Sequence, residues 1–111
     1  MTKIDYLKNK ELARKIILDR VVRLNALYRF DVGRIAIRNQ KSRWGSCSKK
    51  GNLNFNYRLM YLSSPLLDYV VVHELCHLKE FNHSAKFWEL VKMTIPDYKN
   101  VRKELKKLRL V

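Results

Sequence analysis

All three histidines of the 111-residue chain fall inside one eleven-residue window, His73-Glu74-Leu75-Cys76-His77-Leu78-Lys79-Glu80-Phe81-Asn82-His83. On a helix, residues four apart stand one above the other, with about 5–6 Å between Cβ atoms. His73 and His77 therefore share a helix face, and Glu74 lies about 100° further round, on its flank. Were the helix to continue, His83 would point roughly 240° away from His77 and sit about 9 Å further along the axis. A chain that unites the three must turn just after His77. Asn82 tolerates the left-handed conformation such a turn can use, and Ser84 is a good N-cap for a following helix.

Two imidazoles so placed can reach one metal ion at zinc–nitrogen distances of about 2.0–2.1 Å, and a third leaves one tetrahedral position open. An open position separates a catalytic zinc site from a closed structural one. The pattern H-E-x-x-H is that of zinc-dependent peptidases, in which the glutamate serves a water and not the metal. His73, His77 and His83 are thus the candidate ligands of one Zn2+ per chain, and Glu74 is the candidate catalytic residue. The competing reading is an ordinary helix that holds no metal, and the third histidine argues against it. Cys76 points about 100° away from His77 and reads as a small buried apolar residue.

A chain of 111 residues is expected to form one domain, 1–111, with a modest core. Cys47 and Cys76 form no C-x-x-C pair and no disulfide pattern, so a reducing compartment is expected. Met1-Thr2-Lys3-Ile4-Asp5 has no apolar run behind its charge, and no stretch approaches a membrane span in length. A cytoplasmic location without membrane contact follows as an expectation. The formal net charge of +14 is unevenly spread. Residues 31–60 hold seven basic side chains and one acidic, whereas 61–90, with the histidines, hold two and four. So basic a chain suggests an anionic neighbour, nucleic acid or acidic protein, although a solvated lysine-rich surface is the simpler explanation of the charge.

No repeat, low-complexity tract or linker is visible. Residues 5–28 read as one helix, because Ala13, Ile17, Val21, Leu24 and Tyr28 form a single stripe. Residues 34–38 alternate as a short strand. Residues 42–48 lead into a turn at Lys49-Lys50-Gly51-Asn52 and a return strand. There Leu53, Phe55, Tyr57 and Leu59 face one way while Asn54, Asn56 and Arg58 face the other. Gly45 suggests a bulge or a close backbone approach. Ser64 as N-cap and Pro65 at N1 open the next helix, with Asp68 in its first turn. This helix is apolar on nearly all sides and should be the buried central one. Ser84 caps a helix with Phe87, Trp88 and Val91 inward. The last helix, from about Asp97, packs Tyr98, Val101, Leu105 and Leu108 inward and turns a basic face to solvent.

Arg43-Trp44-Gly45-Ser46-Cys47, Asn56-Tyr57-Arg58-Leu59, the run Tyr69 to Leu78, Asn82-His83-Ser84 with Phe87-Trp88, and Pro96-Asp97-Tyr98 together resemble the YgjP-like metallopeptidases. These are relatives of the SprT-like and Wss1-like zinc proteases, and the likeness runs over residues 34–108. It implies an α+β, minimal zincin-like domain, preceded by the long N-terminal helix that the apolar stripe marks. A small antiparallel sheet with a hairpin, a buried active-site helix and two C-terminal helices complete the expected fold. It also implies zinc on His73, His77 and His83, with Glu74 as general base in the hydrolysis of a peptide or protein substrate. In that mechanism zinc would lower the pKa of a water towards about 7, and Glu74 would take its proton and pass it to the leaving nitrogen.

Members usually carry a further N-terminal region, so part of the substrate cleft is expected to be either missing or supplied by a partner protein. The histidine spacing equals that of metzincins, but Glu80 stands where they place glycine, and no Met-turn is evident. Arg43, Asn56, Tyr57, Arg58 and Tyr98 are candidates for stabilising the oxyanion; each also has a structural explanation, and Trp44 and Trp88 read as core packing. The Asn-rich return strand could pair its backbone with an extended peptide. Two other classes stay open. One is a metal-dependent nuclease acting on single-stranded RNA, since YbeY-like endoribonucleases share the H-x3-H-x5-H spacing but not the glutamate. The other is a non-catalytic, zinc-stabilised module that binds nucleic acid through the basic flanks, for which Glu74 would be superfluous.

Overall fold

The computed structural model describes residues 3–108. Met1 and Thr2, at the head of the segment expected to carry no leader, and the last three residues of the expected 1–111 domain lie outside the described residues. Helix α1, Lys3–Tyr28, buries the stripe Ala13, Ile17 and Val21. It stops where Arg29 adopts a left-handed φ of 58°. The Arg29 N–H still reaches Asn25 O at 2.7 Å, and the Asn25 side chain brackets both the N–H and the carbonyl of Phe30. Three strands follow: β1 Ile35–Arg38, β2 Gly45–Cys47 and β3 Leu53–Asn56. Then come a 3-10 turn at Tyr57–Tyr61 and helices α2 Ser64–His77, α3 Ala85–Thr94 and α4 Tyr98–Lys106.

The α+β fold agrees with expectation, but the sheet is mixed and not antiparallel. Its order is β1-β3-β2, with β1 parallel to β3 and β2 antiparallel to it. The hairpin turn forms where expected, with Gly51 at φ +86° and Ser48 and Asn52 closing it at 2.9 Å. The return strand is shorter than its alternation suggests. At Asn56 the side-chain Oδ1 accepts from the Arg58 N–H at 3.0 Å, which winds the chain into the 3-10 turn. Tyr57, Arg58 and Leu59 are therefore all buried and do not alternate between faces. Because β3 is central, its edges are already paired and cannot receive a peptide; β2 and β1 are the outer strands.

α2 is the buried centre, with eight of its fourteen residues buried. Its N-cap is Ser63, one residue earlier than expected, which leaves Asp68 beyond the first turn. Ser64 Oγ instead accepts from Arg20 Nη2 at 3.0 Å, and Arg20 Nη1 meets Asp68 Oδ1 at 2.6 Å. That pair ties α1 to the start of α2. Nearer the start of α1, Tyr6 donates to Ile37 O and Tyr57 to Asp5 Oδ2, at 3.0 and 2.8 Å. The core they enclose is Leu53, Phe55, Tyr57, Leu59, Val71, Val72 and Leu75, joined by Phe87 and Val91 from α3. α4 lies outside it: Tyr98, Val101 and Leu105 are only partly covered, and Leu108, expected inward, is 43% exposed. Among the described residues no helix is long and apolar enough to cross a membrane.

Candidate metal centre

The three histidines meet. α2 carries His73 and His77 on one face and ends at His77. The Leu78, Lys79 and Glu80 N–H groups close on Leu75 and Cys76 carbonyls, and the chain reverses before Ser84, which is the N-cap of α3 as expected. The reversal does not use a left-handed Asn82, since Arg29 is the one non-glycine residue at positive φ among those described. His83 is thereby returned over the α2 face. Its Nε2 lies 3.1 Å from His77 Nε2 and 3.1 Å from His73 Nε2, and the ligand atoms of the trio all lie within 4.8 Å of one another.

The far sides of the rings fix their tautomers. His77 Nδ1 sits 3.0 Å from the Glu80 carbonyl, which can only accept, so that nitrogen carries the proton. His73 Nδ1 likewise meets Glu74 Oε2 at 3.1 Å. Both Nε2 atoms are then lone-pair donors aimed at the third. Burial lowers the pKa of His77 below the usual imidazole range, and burial followed by the charges of His73 and His77 lowers that of His83. Three basic nitrogens pressed together repel unless a cation sits among them. Tetrahedral ligands about 2.05 Å from one ion stand roughly 3.3 Å apart, so the 3.1 Å spacings fit a single metal ion.

Aromatic rings hold the trio. Phe87, fully buried, stacks on His77 with centroids 4.5 Å apart and meets His73 and His83 edge-on at 5.2 and 5.0 Å. Trp88 stacks on His83 at 5.8 Å, and Tyr98 stacks on Trp88 at 4.9 Å. Trp88 thus packs against the core, as expected, and also backs a candidate ligand. Cys76 is fully buried, its thiol pushed up to about 11 chiefly by burial, and it takes no part in the trio.

Glu74 is 5% exposed and borders a cavity of about 270 Å³ beside His73. Its carboxylate rests against Gly45: a Cβ there would stand 3.1 Å from Glu74 Cγ and 3.0 Å from Asn54 O. The glycine marks a close backbone approach, one of the two possibilities its position suggested. Of the oxyanion candidates, three are committed elsewhere. Asn56 Nδ2 donates to Gln40 O and Arg43 O, Arg58 Nη1 donates to Gln40 O, and Tyr57 donates to Asp5. Arg43 remains at the cavity with Trp44, and Tyr98 lies one ring behind. Further wall residues escaped the sequence reading, Tyr69 and Arg102 among them. Tyr69, its hydroxyl pushed up to about 12 mainly by burial, precedes His73 by one helical turn, and that i, i+4, i+8 spacing was available as a signal. Arg102 comes from α4 and had no local signal.

The family described as YgjP-like, metallopeptidase domain, matches residues 3–108. No curated protein matches the chain by sequence. Among solved structures, the metallopeptidase zymogen abylysin of Pyrococcus abyssi superposes with a TM-score of 0.73 at 24% identity, over 86% of this chain and 99% of that one. The metallopeptidase zymogen jannalysin of Methanocaldococcus jannaschii gives 0.72 at 24% identity, over 82% and 94%. At that identity the likeness is one of fold.

Proposed function

The chain belongs to the YgjP-like family of metallopeptidase domains, and from that premise we propose that it hydrolyses peptide bonds at a zinc ion held by His73, His77 and His83, with Glu74 as general base. The observation that carries the proposal is the convergence of the three Nε2 atoms, each 3.1 Å from a neighbour, beside a buried carboxylate in one cavity. Family membership implies a metal ion; the all-imidazole donor set with one tetrahedral position to spare favours zinc. When bound, zinc supplies a Lewis acid that polarises a carbonyl and acidifies a water.

The residues supply the rest. Glu74 accepts the proton of the attacking water from within the cavity and returns it to the amine that leaves. Its bond to His73 Nδ1 and its packing against Gly45 hold the carboxylate in place. Tyr69 and Arg43 are the wall groups able to donate to a developing oxyanion. β2 is an outer strand whose first residue, Gly45, borders the cavity, so an extended substrate would pair there by backbone hydrogen bonds.

The test is cleavage of unfolded protein and blocked peptides by zinc-loaded protein, followed by mass spectrometry. Internal peptide fragments that vanish on metal removal and return with zinc are expected. Cleavage of single-stranded RNA without peptide cleavage would instead favour the nuclease alternative. The +14 charge supports a separate association with nucleic acid through the basic flanks, which should weaken steeply with salt as counterions are released.

A further inference from the structure

The cavity beside the metal centre has a second chemical character. Trp44, Val70 and Leu105 give it an apolar lining, while Arg43, Arg102 and Lys106 stand around it as exposed cations. Among the described residues none of these three is paired with a carboxylate; the ion pairs present use Arg14, Arg20, Arg23 and His73. Glu74, the one carboxylate in the wall, is already engaged by His73 Nδ1. Arg102 is steadied from outside the cavity: its Cζ lies 5.2 Å from the centroid of Trp88, the ring that stacks on His83. A guanidinium is thus fixed one ring away from a candidate metal ligand. A walled cleft lined by one sign of charge concentrates ions of the other, and guanidinium forks match carboxylates bidentately.

We infer that Arg102, with Arg43 and Lys106, forms a subsite for a substrate carboxylate beside the metal centre, so that the cleft selects peptides with a negative charge near the bond offered to Glu74. The inference rests on the peptidase reading above. The apolar lining suits the hydrocarbon that accompanies such a charge in a peptide. The carboxylate has two possible sources, an acidic side chain or the chain's own C-terminus.

Calorimetric titration of the full chain, with and without added zinc, tests this with three peptides of one sequence. One carries glutamate and a C-terminal amide, one glutamine and the amide, and one glutamine and a free C-terminal acid; a single-stranded hexanucleotide is the fourth ligand. One carboxylate peptide is expected to bind about tenfold more tightly than the neutral peptide, the low end of what a hydrogen bond to a charged group contributes. Which one gains identifies the source. Arg102→Gln should bring the ratio close to one, Arg102→Lys should recover part of it, and Arg102→Glu should invert it. The neutral peptide should bind all variants alike, and their circular dichroism should be unchanged.

Equal binding of the three peptides, binding of none, or a ratio untouched by Arg102→Glu would overturn the subsite. So would an oligonucleotide that binds more tightly than any peptide and is lost in Arg102→Glu. Mass spectrometry of the same samples separates the two readings. Charge preference without cleavage keeps the subsite and removes the peptidase; cleavage without preference does the reverse.

Discussion

Eight of the fourteen residues of α2 are buried and none of the nine in α4 is, yet both helices wall the same cavity. α2 brings His73, Glu74 and, within its own length, the apolar surface that locks them against Phe87 and the sheet. α4 brings Arg102 and Lys106 on a helix that rests against the body through partly covered side chains. The difference follows from what each is proposed to do. Donor atoms that share one ion must be held to about 0.5 Å, which requires rotamers locked by packing. Charges that attract a ligand act over several ångströms and keep most of their solvation outside the core. Buried there, they would need compensating partners.

Changes to the centre should therefore cost function outright. The largest effect is expected for His77→Ala, which leaves two imidazoles: zinc should fall from about one per chain to a small fraction by elemental analysis, and hydrolysis with it. Full zinc in that variant would break the comparison. Next comes Glu74→Gln, which keeps shape and loses the base, so cleavage should fall about 10²–10⁴-fold with metal content unchanged.

Support residues should act on stability instead. Asn56→Ala removes the donor to Gln40 O and Arg43 O and the cap on Arg58 N–H; about 1–3 kcal/mol of stability should be lost, read from the denaturant midpoint. Gly45→Ala forces a methyl to 3.0 Å from a strand carbonyl and should cost about 1 kcal/mol, while slowing cleavage because Glu74 must shift. The smallest effect is expected at the exposed Lys103 of α4: Lys103→Ser should change stability by less than about 0.5 kcal/mol and leave zinc binding as it was. A larger loss would mean that α4 carries more of the fold than its exposure suggests.

The same contrast explains what could be read without coordinates. The centre was legible because its signals are local: two histidines one turn apart, a third that must fold back, a serine placed to restart the helix. The α1 stripe and the close approach at Gly45 were equally local. The return strand ends earlier than its alternation suggests: Tyr57 and Leu59 are buried as expected, but Arg58 is buried too, because a strand continuing past Asn56 and an Asn-capped 3-10 turn share one alternation and only the bond from Asn56 Oδ1 to Arg58 N–H separates them. The parallel pairing of β1 with β3 joins Ile35 to Leu53 across the hairpin, and no short-range pattern encodes it. Arg102 reaches the cavity from the far end of the chain, on a helix whose polar residues look alike until it is docked.

The stack of Trp88 on His83, 5.8 Å between centroids and 26° from coplanar, gives the chain a built-in optical reporter. An indole stacked beside a candidate ligand ring shares its electronic surroundings. Zinc, with its filled d shell, offers no low-lying states to drain an excited indole. Cobalt(II) or copper(II) in the same seat would, so replacing one ion by the other should darken Trp88 emission without moving an atom of the fold.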